Sequence, residues 1–160
     1  MSYSRTATSR FQVASWSEST YADIDGEGTT SGGTYYPKRG LSRAEVSYAY
    51  TGEIEGTSTL VYLIAYKADA APVLGLERFT GAIGGHEGSC VLRHVGSQDA
   101  SSVSARVEVV PGMGTGELEG LSARPSWPSP GTATTATSWS SPMTFADGRR
   151  AHRHAELAAR

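Results

Sequence analysis

The sequence predicts an all-β protein, most simply an antiparallel barrel of about eight strands, with a β-sandwich as the alternative. Apolar residues alternate with a period of two in short runs, and glycine-containing turns separate those runs. No amphipathic helical pattern occurs before residue 150. An antiparallel meander that closes into a barrel leaves no exposed edge strand, which favours the barrel.

The first strands are predicted from clean alternation. In "RFQVASW" (10–16), Phe11 and Val13 share one face. The Gly- and Thr-rich segment 26–40 is interpreted as a flexible surface loop. After it, "AEVSYAYTG" (44–52) alternates again, and one of its faces carries Ala44, Val46, Tyr48 and Tyr50.

The later strands complete a domain predicted over residues 1–121. The run "STLVYLIAYK" (58–67) is apolar on both faces, which is typical of a strand covered on each side. The remaining strand segments are "PVLGLERFTGAIGG" (72–85), "GSCVLRHVG" (88–96), "SSVSARVEVVPG" (101–112) and "GTGELEGL" (114–121).

Composition argues against several classes of partner. The chain has 14 basic and 16 acidic residues and a formal net charge of -2, so we expect neither nucleic-acid nor membrane binding. Cys90 is the only cysteine and is interpreted as a small buried apolar group in a reducing compartment. No apolar run has the length of a signal peptide or membrane helix, so we expect a soluble, cytoplasmic protein.

Two polar residues, Glu77 and His94, interrupt otherwise apolar strands. A buried carboxylate or imidazole is costly unless it is paired, and a hairpin around "GGHEG" can bring Glu77 to Arg93 or His94. The pair is either a buried ion pair that fixes strand register or a catalytic acid/base pair facing a cavity. Candidate ligand-lining residues are Tyr48, Tyr62, Tyr66, Phe79 and Arg93.

Other motifs favour ordinary structural interpretations. The glycines of "PGMGTGELEG" (111–120) suggest a phosphate loop, but Glu117 and Glu119 would repel the anion, so we predict a glycine-rich hairpin. The histidines lack metal-ligand spacing, and "HRH" (152–154) lies in a charged tail. We predict no metal and no cofactor.

Four segments in combination resemble a family of small, mostly bacterial proteins of unknown function whose fold is similar to the allene oxide cyclase barrel. These are "SWSESTY", "TGEIEGTSTLVYLIAY", "GLERFTGAIGGHEGSCVLRH" and "VVPGMGTGELEGL", and the resemblance covers about residues 9–121. It implies an eight-stranded antiparallel barrel and no settled activity. The family's recurring non-glycine positions correspond to Trp16, Glu18, Tyr62, Glu77 and His94.

The last segment, 122–160, departs from that pattern. It begins as a Pro-, Ser- and Thr-rich tract where the resemblance implies a closing strand. Reverse translation of the tract in a neighbouring frame can give an alternating, strand-like sequence, so we hypothesise that residues after about 124 are frameshifted. We therefore expect 125–160 to be coil or a poorly fitting substitute strand, with a short helix near 151–159.

The sequence leaves three functions open. The barrel binds a small apolar molecule, or acts as an isomerase or cyclase that shapes a small hydrophobic substrate, or is a structural protein with a filled core. A homo-oligomer is compatible with each. A raised pKa at an unpaired Glu77 favours chemistry, whereas a Glu77 held by an arginine favours structure.

Overall fold

The computed structural model describes residues 4–98, 103–124 and 141–146, and their regular secondary structure is entirely β. These parts of the chain contain no helix long and apolar enough to cross a membrane. The strands are β1 (Ser4–Asp23), β2 (Gly28–Ser31), β3 (Thr34–Pro37), β4 (Gly40–Gly52), β5 (Ile54–Tyr66), β6 (Ala71–Ile83), β7 (His86–Gln98), β8 (Val103–Val109), β9 (Thr115–Gly116), β10 (Ser122–Arg124) and β11 (Ser141–Ala146).

One antiparallel sheet forms the body of the protein, in the order β10-β11-β1-β4-β5-β6-β7-β8, with β9 beside β7. The prediction of an all-β, antiparallel fold is confirmed. Some Cα atoms of β10 and β8, the two ends of this path, lie within 8 Å of each other. Within the described residues no hydrogen-bonded ladder joins these two strands.

The core lies on one face of the sheet, which we call the inner face. Every second residue of β4 from Gly40 to Tyr50 is buried, and β6 alternates in the same way from Ala71 to Phe79. Alternation with a period of two places all these side chains on one side of the pleat. The buried apolar side chains include Val46, Leu60, Ile64, Phe79, Cys90 and Leu92.

Two register shifts in β1 change which of its residues face inward. Phe11 is paired with Tyr50 and Val13 with Tyr48, but after a shift between Val13 and Ser15 the residue paired with Val46 is Trp16. Directly paired residues lie on the same face of a sheet. An extra residue in one strand therefore moves Trp16 onto the inner face, which it could not share with Val13 in a regular strand.

The expectation that β5 is covered on both faces is wrong within this chain. Leu60 and Ile64 are buried on the inner face, but Leu63 on the other face is 45% exposed. Cross-strand neighbours extend this surface, since Leu63 is paired with Leu74 and Leu74 with Val95, both of which are exposed. The outer face of β5 to β7 thus carries a continuous apolar patch.

The segment predicted as a surface loop, 26–40, contains a hairpin instead. Strands β2 and β3 pair from Gly28–Pro37 to Ser31–Thr34 around Gly32 and Gly33, whose φ angles are +57° and +83°. Two adjacent glycines with positive φ suit a tight hairpin turn, and alternating Thr and Tyr residues suit its strands. The loop composition concealed this short two-stranded element.

The C-terminal segment supplies a strand beside β1. Residues 141–146 form β11, which pairs with Ser4–Ser9 and covers the edge of β1. Of the two expected alternatives, coil or a substitute strand, this stretch forms a strand. β10 pairs with β11 on its other side. The helix expected near 151–159 and most of the segment covered by the frameshift hypothesis lie outside the described residues.

Substitution of Gly81 tests how closely β5 and β6 approach each other. A Cβ atom on Gly81 would lie 2.1 Å from the backbone oxygen of Glu55, so Gly81→Ala requires backbone movement. We expect the free energy of unfolding, measured in urea, to fall by about 2–4 kcal/mol. The control Gly33→Ala has open space around it and strains only a positive φ, so its expected loss is about 1 kcal/mol. Equal losses would contradict the close approach.

Candidate functional site

Glu77 and His94 interrupt the buried faces of β6 and β7 and meet there. Gly75 is paired with His94 and Glu77 with Leu92, so the two polar residues are diagonal neighbours across the ladder. Glu77 Oε2 lies 2.6 Å from His94 Nε2. The Glu77 side chain is fully buried, and that of His94 is 9% exposed. The structure therefore brings together the two predicted catalytic candidates.

The second oxygen of Glu77 is also bound. Tyr50 donates its hydroxyl to Glu77 Oε1 at 2.5 Å. Ser58 Oγ is buried and has no hydrogen-bond partner within the part of the chain that the structure describes, but it lies close enough to Glu77 to help lower the pKa of that carboxyl. Burial alone raises the pKa of Glu77, but the hydrogen bond and charge of His94, helped by Ser58 and Tyr50, outweigh it and hold the pKa below its ordinary value.

Two more tyrosines extend this series of polar contacts from His94. We call the series Tyr50, Glu77, His94, Tyr62 and Tyr48 the polar chain. The Tyr62 hydroxyl lies 3.4 Å from His94 Nδ1, and the Tyr48 hydroxyl lies 3.3 Å from that of Tyr62. Both distances exceed the usual length of a hydroxyl hydrogen bond. Burial is the main reason that the pKa values of Tyr48 and Tyr62 are raised, and the charge of Glu77 adds to it. Both phenols are therefore neutral at physiological pH.

Gly75 makes the contact between Tyr62 and His94 possible. It lies between them in one cross-strand row, paired with Tyr62 on β5 and with His94 on β7. A Cβ atom on Gly75 would lie 2.7 Å from Cδ1 of Tyr62, so the tyrosine ring occupies the space that a side chain would fill. The tyrosine can thus reach over β6 to the imidazole.

A second carboxylate, that of Glu18, lies on the inner face beside the first group. Glu18 is half-buried and is paired with Ala44. Its Oε1 accepts hydrogen bonds from Ser42 Oγ at 2.5 Å and Tyr66 OH at 2.7 Å, and its Oε2 accepts one from Trp16 Nε1 at 3.1 Å. Sequence reasoning did not select this site because the register shift that turns Glu18 inward has no clear sequence signal.

The remaining predicted site residues divide between the two faces. Phe79 is buried and packs edge-on against Tyr50 with a ring separation of 5.5 Å, so it belongs to the core beneath the polar chain. Arg93 lies on the exposed outer face and pairs with Glu108. The structure thus corrects the expectation that Arg93 lines the inner site or reaches Glu77. Adjacent residues in a strand point to opposite faces, so Arg93 and His94 cannot both face inward.

Cys90 lies below the polar chain and takes no part in it. It is fully buried, and burial together with the charge of Glu77 raises the pKa of its thiol to about 12. A thiol with that pKa stays protonated near neutral pH, which makes it a poor nucleophile. Among the residues that the structure describes, no three His, Cys, Asp or Glu side chains come together in a metal-binding arrangement.

The fold and the site define an all-β, antiparallel protein with a buried carboxylate–imidazole pair. The model of the family described as "Protein of unknown function (DUF3224)" matches residues 7–127, and the chain belongs to that family. It is similar to a solved DUF3224 protein of unknown function from Shewanella oneidensis MR-1, with 21% identity and a TM-score of 0.56. That comparison covers 91% of this chain and 97% of the other and shows the fold alone. Among curated proteins, none matches the chain.

The Glu77–His94 pair predicts an acid-side loss of stability. The folded-state pKa of Glu77 lies below its ordinary value of 4.5, so its stabilising contribution is complete above that pH and is lost as pH falls through the folded value. We expect Glu77→Gln to cost about 3–5 kcal/mol near pH 7 and to flatten this dependence. Urea unfolding between about pH 3 and about pH 7 measures both effects.

The matched control is Glu45→Gln, which changes the same charge at a side chain that is 60% exposed. It should cost less than about 1 kcal/mol and leave the acid-side slope unchanged. A slope that is the same in the wild type and in Glu77→Gln contradicts the assignment.

The space that Gly75 leaves for Tyr62 can be tested with a double-mutant cycle. We expect Gly75→Ala to reduce the free energy of unfolding by about 1–3 kcal/mol because the Tyr62 ring must move away from His94. In a Tyr62→Ala background the same substitution should cost far less, since the clash is gone. Equal costs in both backgrounds would show that the tyrosine ring does not occupy this space.

Proposed function

We propose that the protein binds a small, mainly apolar molecule on the inner face of a closed β-barrel, next to Trp16 and Tyr62. Support for the barrel comes from the close approach of β8 and β10 and from the single buried face of the sheet. Small antiparallel barrels of this kind can hold one small ligand in their interior. The inner face supplies aromatic walls for such a ligand.

The observation that carries this proposal is the contrast between the two halves of the polar chain. The inner half is tight, with distances of 2.5 Å from Tyr50 to Glu77 and 2.6 Å from Glu77 to His94. In the outer half, the hydroxyls of Tyr48 and Tyr62 lie 3.3 Å apart. A neutral phenol in such a loose contact retains hydrogen-bonding capacity for a polar atom of a guest molecule.

Apolar surface is accessible beside these phenols. Trp16 is 45% exposed and Val13 is 37% exposed, although both are paired with core residues of β4. The ring centres of Trp16 and Tyr62 are 6.1 Å apart. An exposed tryptophan on the same face as the core is more typical of a binding site than of a filled interior. This argues against the alternative of a structural protein with a filled core.

An isomerase or cyclase is the second candidate. The paired Glu77 with its lowered pKa counts against chemistry at that carboxylate, but the order of the polar chain supports a role for His94. His94 is held by a carboxylate through Nε2, which leaves Nδ1 facing Tyr62. This is the arrangement that orients an imidazole for proton transfer. Because the pKa of Tyr62 is raised by burial, its phenol would donate to an oxygen that gains charge and would not act as a base.

The binding proposal is tested with N-phenylnaphthylamine, a neutral apolar dye that fluoresces when it leaves water. We expect saturable binding to the wild type and about three- to tenfold weaker binding to Tyr62→Ala, because the variant lacks one aromatic wall and its hydroxyl. Tyr21→Ala is the control, since Tyr21 is 57% exposed. Native mass spectrometry of the purified protein would in addition identify any molecule retained from the cell.

Two outcomes would count against binding at this place. One is the absence of saturable dye binding to a folded wild-type protein. The other is an equal loss of affinity in the Tyr21 and Tyr62 variants.

A further inference from the structure

Within the part of the chain that the structure describes, the Glu18 carboxylate receives three hydrogen bonds and forms no ion pair. Its donors are the indole of Trp16 and the hydroxyls of Ser42 and Tyr66, all of them neutral groups. Among the described residues, every ion pair involves another carboxylate. A carboxylate has about four acceptor sites, so these donors orient the group without filling it or neutralising it.

Two aromatic side chains contact the Glu18 carboxylate, and a third ring lies next to one of them. Trp16 and Tyr66 both bind Glu18 directly, and the Trp16 ring lies 6.1 Å from that of Tyr62. Tyr66 meets Tyr36 of the β2–β3 hairpin edge-on at 6.2 Å. Ring faces attract cations, tryptophan most strongly, and an aromatic cage next to a carboxylate is the usual receptor for an organic ammonium group.

The two faces of the sheet also differ in the charged residues that they carry. Glu18 and Glu77 lie on the inner face, paired with Ala44 and Leu60. The arginines of β4, β6, β7 and β8, which are Arg43, Arg78, Arg93 and Arg106, are exposed on the outer face. Three of them pair there with Glu45 or Glu108, so they lie on the opposite face from Glu18. Burial raises the pKa of Tyr66, and the Glu18 charge raises it further, which reflects a negative potential at this place.

We propose that the ligand carries an organic ammonium group, which the Glu18 carboxylate and the rings of Trp16, Tyr62 and Tyr66 bind. This inference rests on the proposed function and specifies the chemical class of the ligand. The apolar body of the ligand lies along the inner face towards Tyr48, and the positive head replaces the cation that Glu18 lacks. No bond is made or broken in this step.

The experiment compares two probes that differ only in charge. Choline is titrated into the full chain by calorimetry, beside its neutral carbon analogue in which a tert-butyl group replaces the trimethylammonium group. We expect choline to bind at least about tenfold more tightly, because the two probes share size and shape and only the cation interacts with the carboxylate and the ring faces.

Variants at Glu18 separate recognition from a structural role. Glu18→Gln keeps the size of the side chain and removes its charge, and we expect it to abolish the preference for choline. Glu45→Gln removes the same charge from the outer face and should leave the preference intact. Circular dichroism confirms folding of both variants, and Trp16→Phe, which retains a ring without the indole, should weaken choline binding about three- to tenfold.

Each remaining outcome overturns the inference. Equal affinity for the two probes, no binding of choline at millimolar concentration, or an unchanged preference in folded Glu18→Gln would each do so. If any of these results is obtained while the neutral dye still binds at Tyr62, the proposed function stands but the ligand is not cationic. Loss of dye binding together with persistent choline selectivity would place the cation site outside the proposed one.

Discussion

The rest of the inner face is arranged around the need to compensate the buried charge of Glu77. A fully buried carboxylate needs a close partner, and His94 and Tyr50 contact its two oxygens from different strands. Those contacts require a single register between β6 and β7, because a slip of one residue would turn Glu77 outward. The ion pair is therefore weak evidence for stability but strong evidence for a specified register.

The packing of Tyr62 and Tyr48, the other members of the polar chain, follows from that register. Gly75 faces His94 across the ladder and so leaves the space in which the Tyr62 ring lies. Tyr62 then reaches the imidazole, and Tyr48 reaches Tyr62. The two contacts of Tyr62, at 3.4 Å and 3.3 Å, are longer than the two contacts of Glu77, at 2.5 Å and 2.6 Å, so the tighter end of the series is at Glu77. In the proposed function, the buried charge of Glu77 is fixed and the more loosely bound phenols of Tyr62 and Tyr48 provide the donors for a ligand.

The regular strands and the Glu77–His94 contact could be predicted from alternation, because burial alternates with a period of two in β4 from Gly40 to Tyr50, in β6 from Ala71 to Thr80 and in β7 from Cys90 to Val95. The position of Arg93 on the outer face could also be predicted, because Arg93 is adjacent to His94 in a strand and adjacent residues point to opposite faces. The register shift after Val13 and the β2–β3 hairpin could not be read in this way. A bulge has no composition of its own, and Gly- and Thr-rich strands resemble loops. These irregular elements carry Trp16, Glu18 and Tyr36.

The two carboxylates on the inner face, those of Glu77 and Glu18, have different surroundings. The difference suits Glu77 to a structural role and Glu18 to the proposed recognition of a ligand. Glu77 is sealed in the core and already has its imidazole, so a ligand could add little to it. Glu18 is half-buried and next to a tryptophan that is 45% exposed, and its hydrogen-bond donors among the described residues are all neutral. A charge that the fold orients but does not neutralise can still contribute free energy to the binding of a ligand. The proposed recognition of a ligand is therefore assigned to β1, the strand with two register shifts, and the regular strands β4 to β7 support it.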